Sequence, residues 1–497
     1  MVIEEHAHLT IWSDKWCNPS SPNYNIKIPL ATYDKAIQQP DKDKWLEAMH
    51  TELQMMKDMK VYKVTKLLEG LKEEIYMHQP KGFEDGNWHL FIWLMLRTIY
   101  GLKQLALEWY KQVRAIMTDL GFIQANSDHA LFYYEETNIM ANKVHTHCFL
   151  AWHINNGMGV CNSRPFLKNI KKWIMEHFGI KDLGVVAKYL GIQFKHDWTS
   201  RKIWLHQNEY IFFLLQEYDL TNCNPVWLPA DPKAPLDDPN SNHLEIPDIR
   251  SAYLKLVGEL IYLSINTCPD ISFIINALAQ YGSNPSPCHY ATGKQVLWYL
   301  AGTMQLRIEY AAKGDNLDLH AYADASWANE TGCCSVTSYM WYYAGSLISH
   351  VSKKQTTITL SSTEAEYMAI THITQEGLWL CSLFFELGIA FQSPVPIHLD
   401  CTGAVALSKA VQFHHCTKHI DIQYHFIHLH IDNGFFTLIW IPSHLNITDI
   451  LTKALPHPAF NKFHSFLGLI APWGGMLTLF HLSLLHIALI PSHDMLT

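Results

Sequence analysis

The chain has 497 residues, 48% of them hydrophobic and 17% charged, with a formal net charge of -9. That is a globular composition, long enough for two to four domains that each bury a core. The negative balance excludes a uniformly basic nucleic-acid binder, although a locally basic groove can sit on an acidic protein.

In chain order, the N-terminus MVIEEHAHLT carries acids where the basic stretch of a secretory signal would stand. An intracellular protein with its 11 Cys as reduced thiols is expected. DKDKWLEAMHTELQMMK places Trp45, Met49, Leu53 and Met56 at helical spacing. The Pro and Gly of EEIYMHQPKGFEDG mark loops, and YGLKQLALEWYKQV predicts a helix around residues 100–119. HALFYYEE and HTHCFLAWH read as paired strands. His145, His147 and Cys148 in the second run fit no zinc spacing and read as scattered hairpin residues. In AWHINNGMGV, Asn155 and Asn156 precede Gly157, which is good turn chemistry because Asn and Gly tolerate positive φ. FLKNIKKWIMEHFG predicts an amphipathic helix ended by Gly179, and VVAKYLGIQF with KIWLHQ predicts a hairpin. Six prolines from Pro225 to Pro247 predict an extended crossing, followed by a helical block from about Ser251 to Gly302.

From Asn316 the pattern alternates. In LDLHAYADAS, Leu317, Leu319, Ala321 and Ala323 share one strand face and Asp318, His320, Tyr322 and Asp324 the other. SVTSYMWYYAG, SLISHVS and TTITL continue as strand-like runs. The long helical pattern SSTEAEYMAITHITQEGLWLCSLFFELG follows. PVPIHLD is a strand ending in Asp400, a helix follows it, FFTLIWIPS is a strand, and NITDILTKAL is a final short helix carrying Asp449. The order βββαβαβα thus sets Asp324, Glu366, Asp400 and Asp449 on four different elements. Hard oxygen ligands converging on a small volume suit two Mg²⁺ ions about 4 Å apart and phosphodiester hydrolysis. Each acid also has a structural reading. Glu364 completes a capping box with Ser361, Asp449 sits near the helix start at Asn446, and Asp400 can cap the helix that follows it.

YADAS, SSTEAEYMA, LDCTGAVAL, TKHIDIQYHFI and ITDILTKALP resemble, in order and spacing, the ribonuclease H domain of copia-type LTR retrotransposon Pol polyproteins. The resemblance implies that Asp324, Glu366, Asp400 and Asp449 are catalytic and hold two Mg²⁺, with Mn²⁺ as a substitute. Asp324 would bridge both ions, Glu366 and Asp400 would flank one, and Asp449 would hold the second more loosely. His444 reads as an exposed loop residue ahead of any part in proton movement. Cys333-Cys334 stands where such elements usually carry basic residues, which would weaken grip on a hybrid backbone. Upstream, KWLEAMHTELQMM, EEIYMHQPKGFED, YGLKQLALEWY, FGIKDLGVVAKYLGIQF and TCPDISFIINALAQY resemble the reverse transcriptase of the same family, so the likeness runs from Tyr33 to Leu469.

The resemblance also shows what is missing. Three palm carboxylates should hold the polymerase metals, yet VYKVTKLLEGLKEEIYM runs almost directly from the N-terminal helix into the palm. The fingers and the strand with the first Asp are absent, and Asn155 and Asn156 stand where an Asp pair belongs. An amide brings no negative charge to a divalent cation, so polymerase chemistry is expected to be lost.

The fold expected is α/β and α+β multidomain: a truncated reverse-transcriptase palm/thumb-like region, then a ribonuclease H-like α/β domain with a mixed five-stranded sheet. The expected divisions are an unassigned segment 1–32, a reverse-transcriptase region 33–228, a Pro-rich linker 229–250, a helical thumb- or connection-like region 251–310, the ribonuclease H-like domain 311–469 and an apolar tail 470–497. From Ser465 to His493 there is no Asp, Glu, Lys or Arg, but Pro and Gly interrupt the run and no basic cluster flanks it, so a membrane span is not expected. The expected partner is nucleic acid, specifically an RNA–DNA hybrid, and no small-molecule substrate is implied. A non-catalytic nucleic-acid-binding protein and a decayed transposon remnant stay open beside the nuclease.

Overall fold

The structure, a computed structural model, describes residues 42–58, 62–66, 76–77, 91–95, 103–137, 145–154, 156–178, 181–233, 236, 247–311, 318–327, 334–389, 391–408 and 421–470. Asn155, Gly179, Leu317, Cys333, segment 67–75, the tail from 471 and most of the proline-rich crossing lie outside these residues. The described residues divide into two compact units. One takes those up to Gln124 and Ala130–Gly184, the other Ala125–His129 and those from Val185 on.

The first unit opens with α1 (Lys42–Asp58) and a three-stranded antiparallel sheet of β1 (Tyr62–Lys66), β2 (Tyr76–Met77) and β3 (Phe91–Met95), in the order β1-β3-β2. Its second sheet is an antiparallel meander of β4 (Ile123–Gln124), β5 (Leu131–Thr137), β6 (His145–His153) and β7 (Asn156–Cys161). The helices α2 (Lys103–Asp119) and α3 (Arg164–Phe178) flank it in sequence. Trp109, Val113 and Met117 recur every fourth residue on α2, and Ile170, Ile174 and Phe178 do so on α3. These stripes bury against Phe132, Cys148, Leu150 and Trp152 of the sheet, each large side chain contributing about 2 kcal/mol by leaving water.

The hairpin turn differs from the sequence expectation. His153 already pairs with Asn156, and the turn opens on Ile154 at φ 53°. Gly157 is therefore not a turn residue but part of β7, where a Cβ would stand 2.9 Å from the Trp152 ring. The glycine is required for close approach of the indole rather than for positive φ.

In the second unit an antiparallel sheet has the order β17-β11-β10-β9-β8. Its strands are β8 (Lys188–Tyr189), β9 (Ile192–Asp197), β10 (Lys202–His206), β11 (Arg307–Ala311) and β17 (Leu469–Ile470). Helices α4 (Asn208–Glu217), α5 (Pro247–Asn266), α6 (Ser272–Ala279) and α7 (Pro287–Thr303) lie between β10 and β11 in sequence. The last three realise the predicted helical block.

A mixed five-stranded sheet completes the unit, ordered β14-β13-β12-β15-β16. Strands β12 (Leu319–Ser326), β13 (Val336–Tyr343) and β14 (Ser346–Lys354) form an antiparallel meander, while β15 (Val395–Leu399) runs parallel to β12 and β16 (Phe436–Trp440) parallel to β15. The long helix α8 (Ser362–Glu386) lies against this sheet. At Gly377 a Cβ would come within 2.5 Å of the Trp341 ring and 2.9 Å of Phe436, so the glycine lets the helix seat directly on the indole. Short α9 (Thr402–Leu407) and α10 (Asp421–Asp432) follow β15, and α11 (His457–His464) precedes β17.

Two expectations change here. TTITL is not a strand, and the segment around Asp449 is a 3-10 helix, Ile447–Leu451, rather than an α-helix. Among the described residues no helix is long and apolar enough to cross a membrane.

Candidate active site

Strand alternation places Ala321 and Ala323 in the core, and Asp324, near the end of β12, is itself only 5% exposed. Glu366 lies in the second turn of α8 and is 7% exposed. Asp400 follows the last residue of β15, and Asp449 sits in the 3-10 helix. One ligand oxygen from each of Asp324, Glu366 and Asp400 falls within 4.8 Å of the others, the only such group of His, Cys, Asp or Glu among the described residues. Asp449 stands beside them, close enough that its charge acts on Asp324.

The structural readings of Glu364 and Asp400 separate, while Asp449 does lie in the first turn of the 3-10 helix that Asn446 caps. Ser361 Oγ accepts from the Glu364 amide at 3.2 Å, and Glu364 Oε2 accepts from the Leu360 amide at 2.7 Å. Glu364 is thus structural, reaching one residue further back than the capping box requires, while Glu366 remains for the site. The residue capping α9 is Cys401, so Asp400 is not a cap.

A buried framework aims the carboxylates. Thr452 Oγ1 donates to Asp324 Oδ2 at 2.6 Å. Asn446, with no exposed surface, donates from Nδ2 to the Ala323 carbonyl at 3.0 Å and to Asp400 Oδ1 at 3.3 Å. Its Oδ1 accepts from Thr448 Oγ1 at 2.5 Å and from the Thr448 amide at 3.4 Å. One side chain therefore ties β12, the end of β15 and the 3-10 helix together. Lys453 Nζ lies 2.6 Å from Asp449 Oδ1. Sequence reading missed Asn446, Thr452 and Lys453 as contributors, although Lys453 four residues after Asp449 is a legible ion-pair spacing.

The electrostatics are those of acids gathered without enough positive charge. Burial first, then the charges of Asp449 and Asp400, push the Asp324 carboxyl up to about 7 against the Thr452 hydrogen bond. Burial, then Asp324 and Asp400, push Glu366 up to about 10. Asp449 is also raised, mainly by burial, with Lys453 opposing. Lys453 is held above its ordinary range by these acids although desolvation pulls the other way. Glu366 Oε2 is buried and makes no hydrogen bond within the protein. An all-oxygen donor set with an orphaned buried oxygen fits a hard divalent cation.

Asn156 is half-buried on β7 in the first unit, and Asn155 lies outside the described residues. His444 is exposed, and its carbonyl accepts from Lys462 Nζ.

Residues 40–232 match the family described as reverse transcriptase (RNA-dependent DNA polymerase). The retrovirus-related Pol polyprotein from transposon RE2 of Arabidopsis thaliana is 34% identical over 403 residues, covering 80% of this chain and 27% of that protein. The retrovirus-related Pol polyprotein from transposon TNT 1-94 of Nicotiana tabacum is 30% identical over 417 residues, 82% of this chain and 30% of the relative. Among solved structures, LC11-RNase H1, isolated from compost by a metagenomic approach, aligns with 29% of this chain and 97% of its own at 14% identity and a TM-score of 0.23. The chain thus spans less than a third of the length of these curated relatives. With likeness covering four fifths of its length, the chain belongs to the retrovirus-related Pol polyproteins of copia-type transposons and carries their reverse-transcriptase region.

Proposed function

We propose that this chain is a transposon-derived nuclease that hydrolyses the RNA strand of RNA–DNA hybrids inside the cell and no longer polymerises DNA. The observation that carries this reading is the convergence of Asp324, Glu366 and Asp400 within 4.8 Å, with Asp449 alongside. A ribonuclease H-like domain over 311–469 would hold two Mg²⁺ ions, or Mn²⁺, through these four acids. Bound there, the ions would activate the attacking water and stabilise the leaving oxygen.

The chain's own residues do the positioning. Asn446 fixes the Asp400 carboxylate relative to β12, and Thr452 fixes the rotamer of Asp324. Lys453 supplies one local positive charge near Asp449 and leaves the remaining negative charge for cations. Loss of polymerase chemistry is supported by Asn155 and Asn156 in place of the expected acids, and by the missing strand before EEIYM.

The test uses the full chain on a labelled hybrid duplex. Mg²⁺-dependent cleavage of the RNA strand is expected, with Asp324→Asn cutting at least a hundredfold more slowly, on the order of the effect of losing a central charge contact. Primer extension is expected to be absent. No cleavage with either Mg²⁺ or Mn²⁺, or equal cleavage by the variant, would overturn the nuclease reading. Tight, salt-sensitive hybrid binding in that case would identify a binding protein instead.

A further inference from the structure

The hairpin β6–β7 carries two thiols at matched positions, Cys148 opposite Cys161. One residue outward, the Asn162 amide donates to the His147 carbonyl at 3.1 Å, and the His147 amide donates to Asn162 Oδ1 at 3.0 Å. Residues 147 and 162 thus occupy a hydrogen-bonded position, which makes Cys148 and Cys161 the adjacent non-hydrogen-bonded pair. In such pairs the α-carbons stand about 4.5 Å apart with both side chains on one face of the sheet. A disulfide bridges α-carbons roughly 4.4–6.8 Å apart, so closing this one requires little backbone movement. The two thiols also act on each other's ionisation.

Their surroundings give them different parts. Cys148 has no exposed surface and packs within the core of the first unit. Cys161 is half-buried, at the end of β7, where the Ser163 amide donates to its sulfur at 3.4 Å.

We propose that Cys148 and Cys161 are a redox modification site that closes to a reversible intrachain disulfide when the protein meets a hydroperoxide. Cys161 is the attacking sulfur because it is the less buried of the two. The neighbouring Cys148 lowers the Cys161 thiol while burial works against that, and a lowered thiol favours the attacking thiolate. The Cys161 thiolate attacks one peroxide oxygen, the O–O bond breaks, and the departing alkoxide or hydroxide takes up a proton. Cys161 is then a sulfenic acid. The Cys148 sulfur attacks it, the S–S bond forms, the S–O bond breaks, and the Cys148 proton leaves with the hydroxide as water. Two thiols lose two electrons and the peroxide gains them. The product clamps the strands on either side of the Ile154 turn.

The experiment treats the full chain with hydrogen peroxide, blocks remaining thiols by alkylation and maps peptides without reduction. The expected product is a peptide pair joining Cys148 to Cys161, lighter by two hydrogens than the reduced pair and reopened by dithiothreitol. Backbone amides of 145–161 are expected to exchange more slowly in the oxidised protein. In Cys148→Ser the oxidised Cys161 should instead be trapped by dimedone. Wild-type mapping decides the matter without the variant. Cys148 and Cys161 both alkylated while exposed Cys288 is oxidised, or Cys161 joined to any other cysteine, would overturn the proposal.

Discussion

Asp324 shows at single-residue scale how a site and a stable core oppose each other. Its carboxyl is pushed up to about 7, chiefly by burial and then by Asp449 and Asp400, whereas in an unfolded chain it titrates near 3.9. The folded state therefore keeps a proton that the unfolded chain releases. This contribution to stability is fully present below about pH 3.9 and is lost as pH rises through about 7. Near pH 8 the deficit is on the order of 4 kcal/mol, at roughly 1.4 kcal/mol per pH unit. Asp324→Asn removes the charge and keeps an oxygen for Thr452 to donate to. The variant is expected to be more stable than the metal-free parent by about 2–4 kcal/mol near pH 8, with the gap closing toward pH 4. Urea midpoints measured at both pH values check this. A variant no more stable at the higher pH would show that the cluster is already neutralised within the protein.

At the scale of elements, the sequence pattern was most legible where periodicity runs long. Trp109, Val113 and Met117 announce α2, and the alternation of LHAYADAS announces β12. Asp324 and Asp400 were legible as candidates because each stands at or near the end of a strand, and Glu366 because it lies early in a long helix. What failed was short and held from outside. The stretch bearing Asp449 resembles a helix start, yet Asn446 fastens it to Ala323 and the Ser338 hydroxyl donates to the Thr448 carbonyl at 3.3 Å. A segment tethered at Asn446 and Thr448 to two strands settles into a tight 3-10 turn rather than propagating an α-helix. The Asn446 clamp was invisible because two of its partners, Ala323 and Asp400, are distant in sequence.

His350 is a similar hidden tie. On β14 and only 3% exposed, it donates from Nε2 to the Ser264 carbonyl of α5 at 2.9 Å. Burial lowers its imidazole to about 4, with that hydrogen bond and Asp270 opposing. An unfolded imidazole titrates near 6.5, so acid favours the unfolded chain. This tie loses nothing above about pH 6.5 and costs up to about 3 kcal/mol as pH falls toward 4. His350→Gln keeps a donor for Ser264 without the ionisation. The thermal stability of the parent is expected to fall more steeply than that of His350→Gln between about pH 6.5 and 4.5. Parallel profiles would show that the imidazole accepts its proton inside the fold.

For the molecule as a whole, these ties bear on where a self-sufficient fragment begins. Motif boundaries in the sequence suggest a cut at 311, but the contacts do not stop there. Arg307 and Ile308 of β11 pair with Ile470 and Leu469, and Lys202–Leu205 of β10 pair across β11 on its other edge. Tyr310, with no exposed surface, donates from its hydroxyl to the Leu347 carbonyl at 2.9 Å. Lys354 Nζ donates to Gln280 Oε1 at 2.6 Å, and His350 reaches Ser264. A fragment of 311–469 would strip β11 from β14 and β17 and uncover the side of the mixed sheet that α6 covers. Each large apolar side chain exposed there costs about 2 kcal/mol, against a total stability of roughly 5–15 kcal/mol for an ordinary domain. A fragment of 185–470 keeps both sheets and the helices between them. It is expected to melt cooperatively, while 311–469 melts at least 10 °C lower or fails to show a transition, since about 1 kcal/mol shifts the midpoint of a domain this size by some 2–4 °C. Calorimetry on the two fragments separates the outcomes. Equal, cooperative transitions would place the folding boundary at 311 and show that the helical block does not stabilise the mixed sheet.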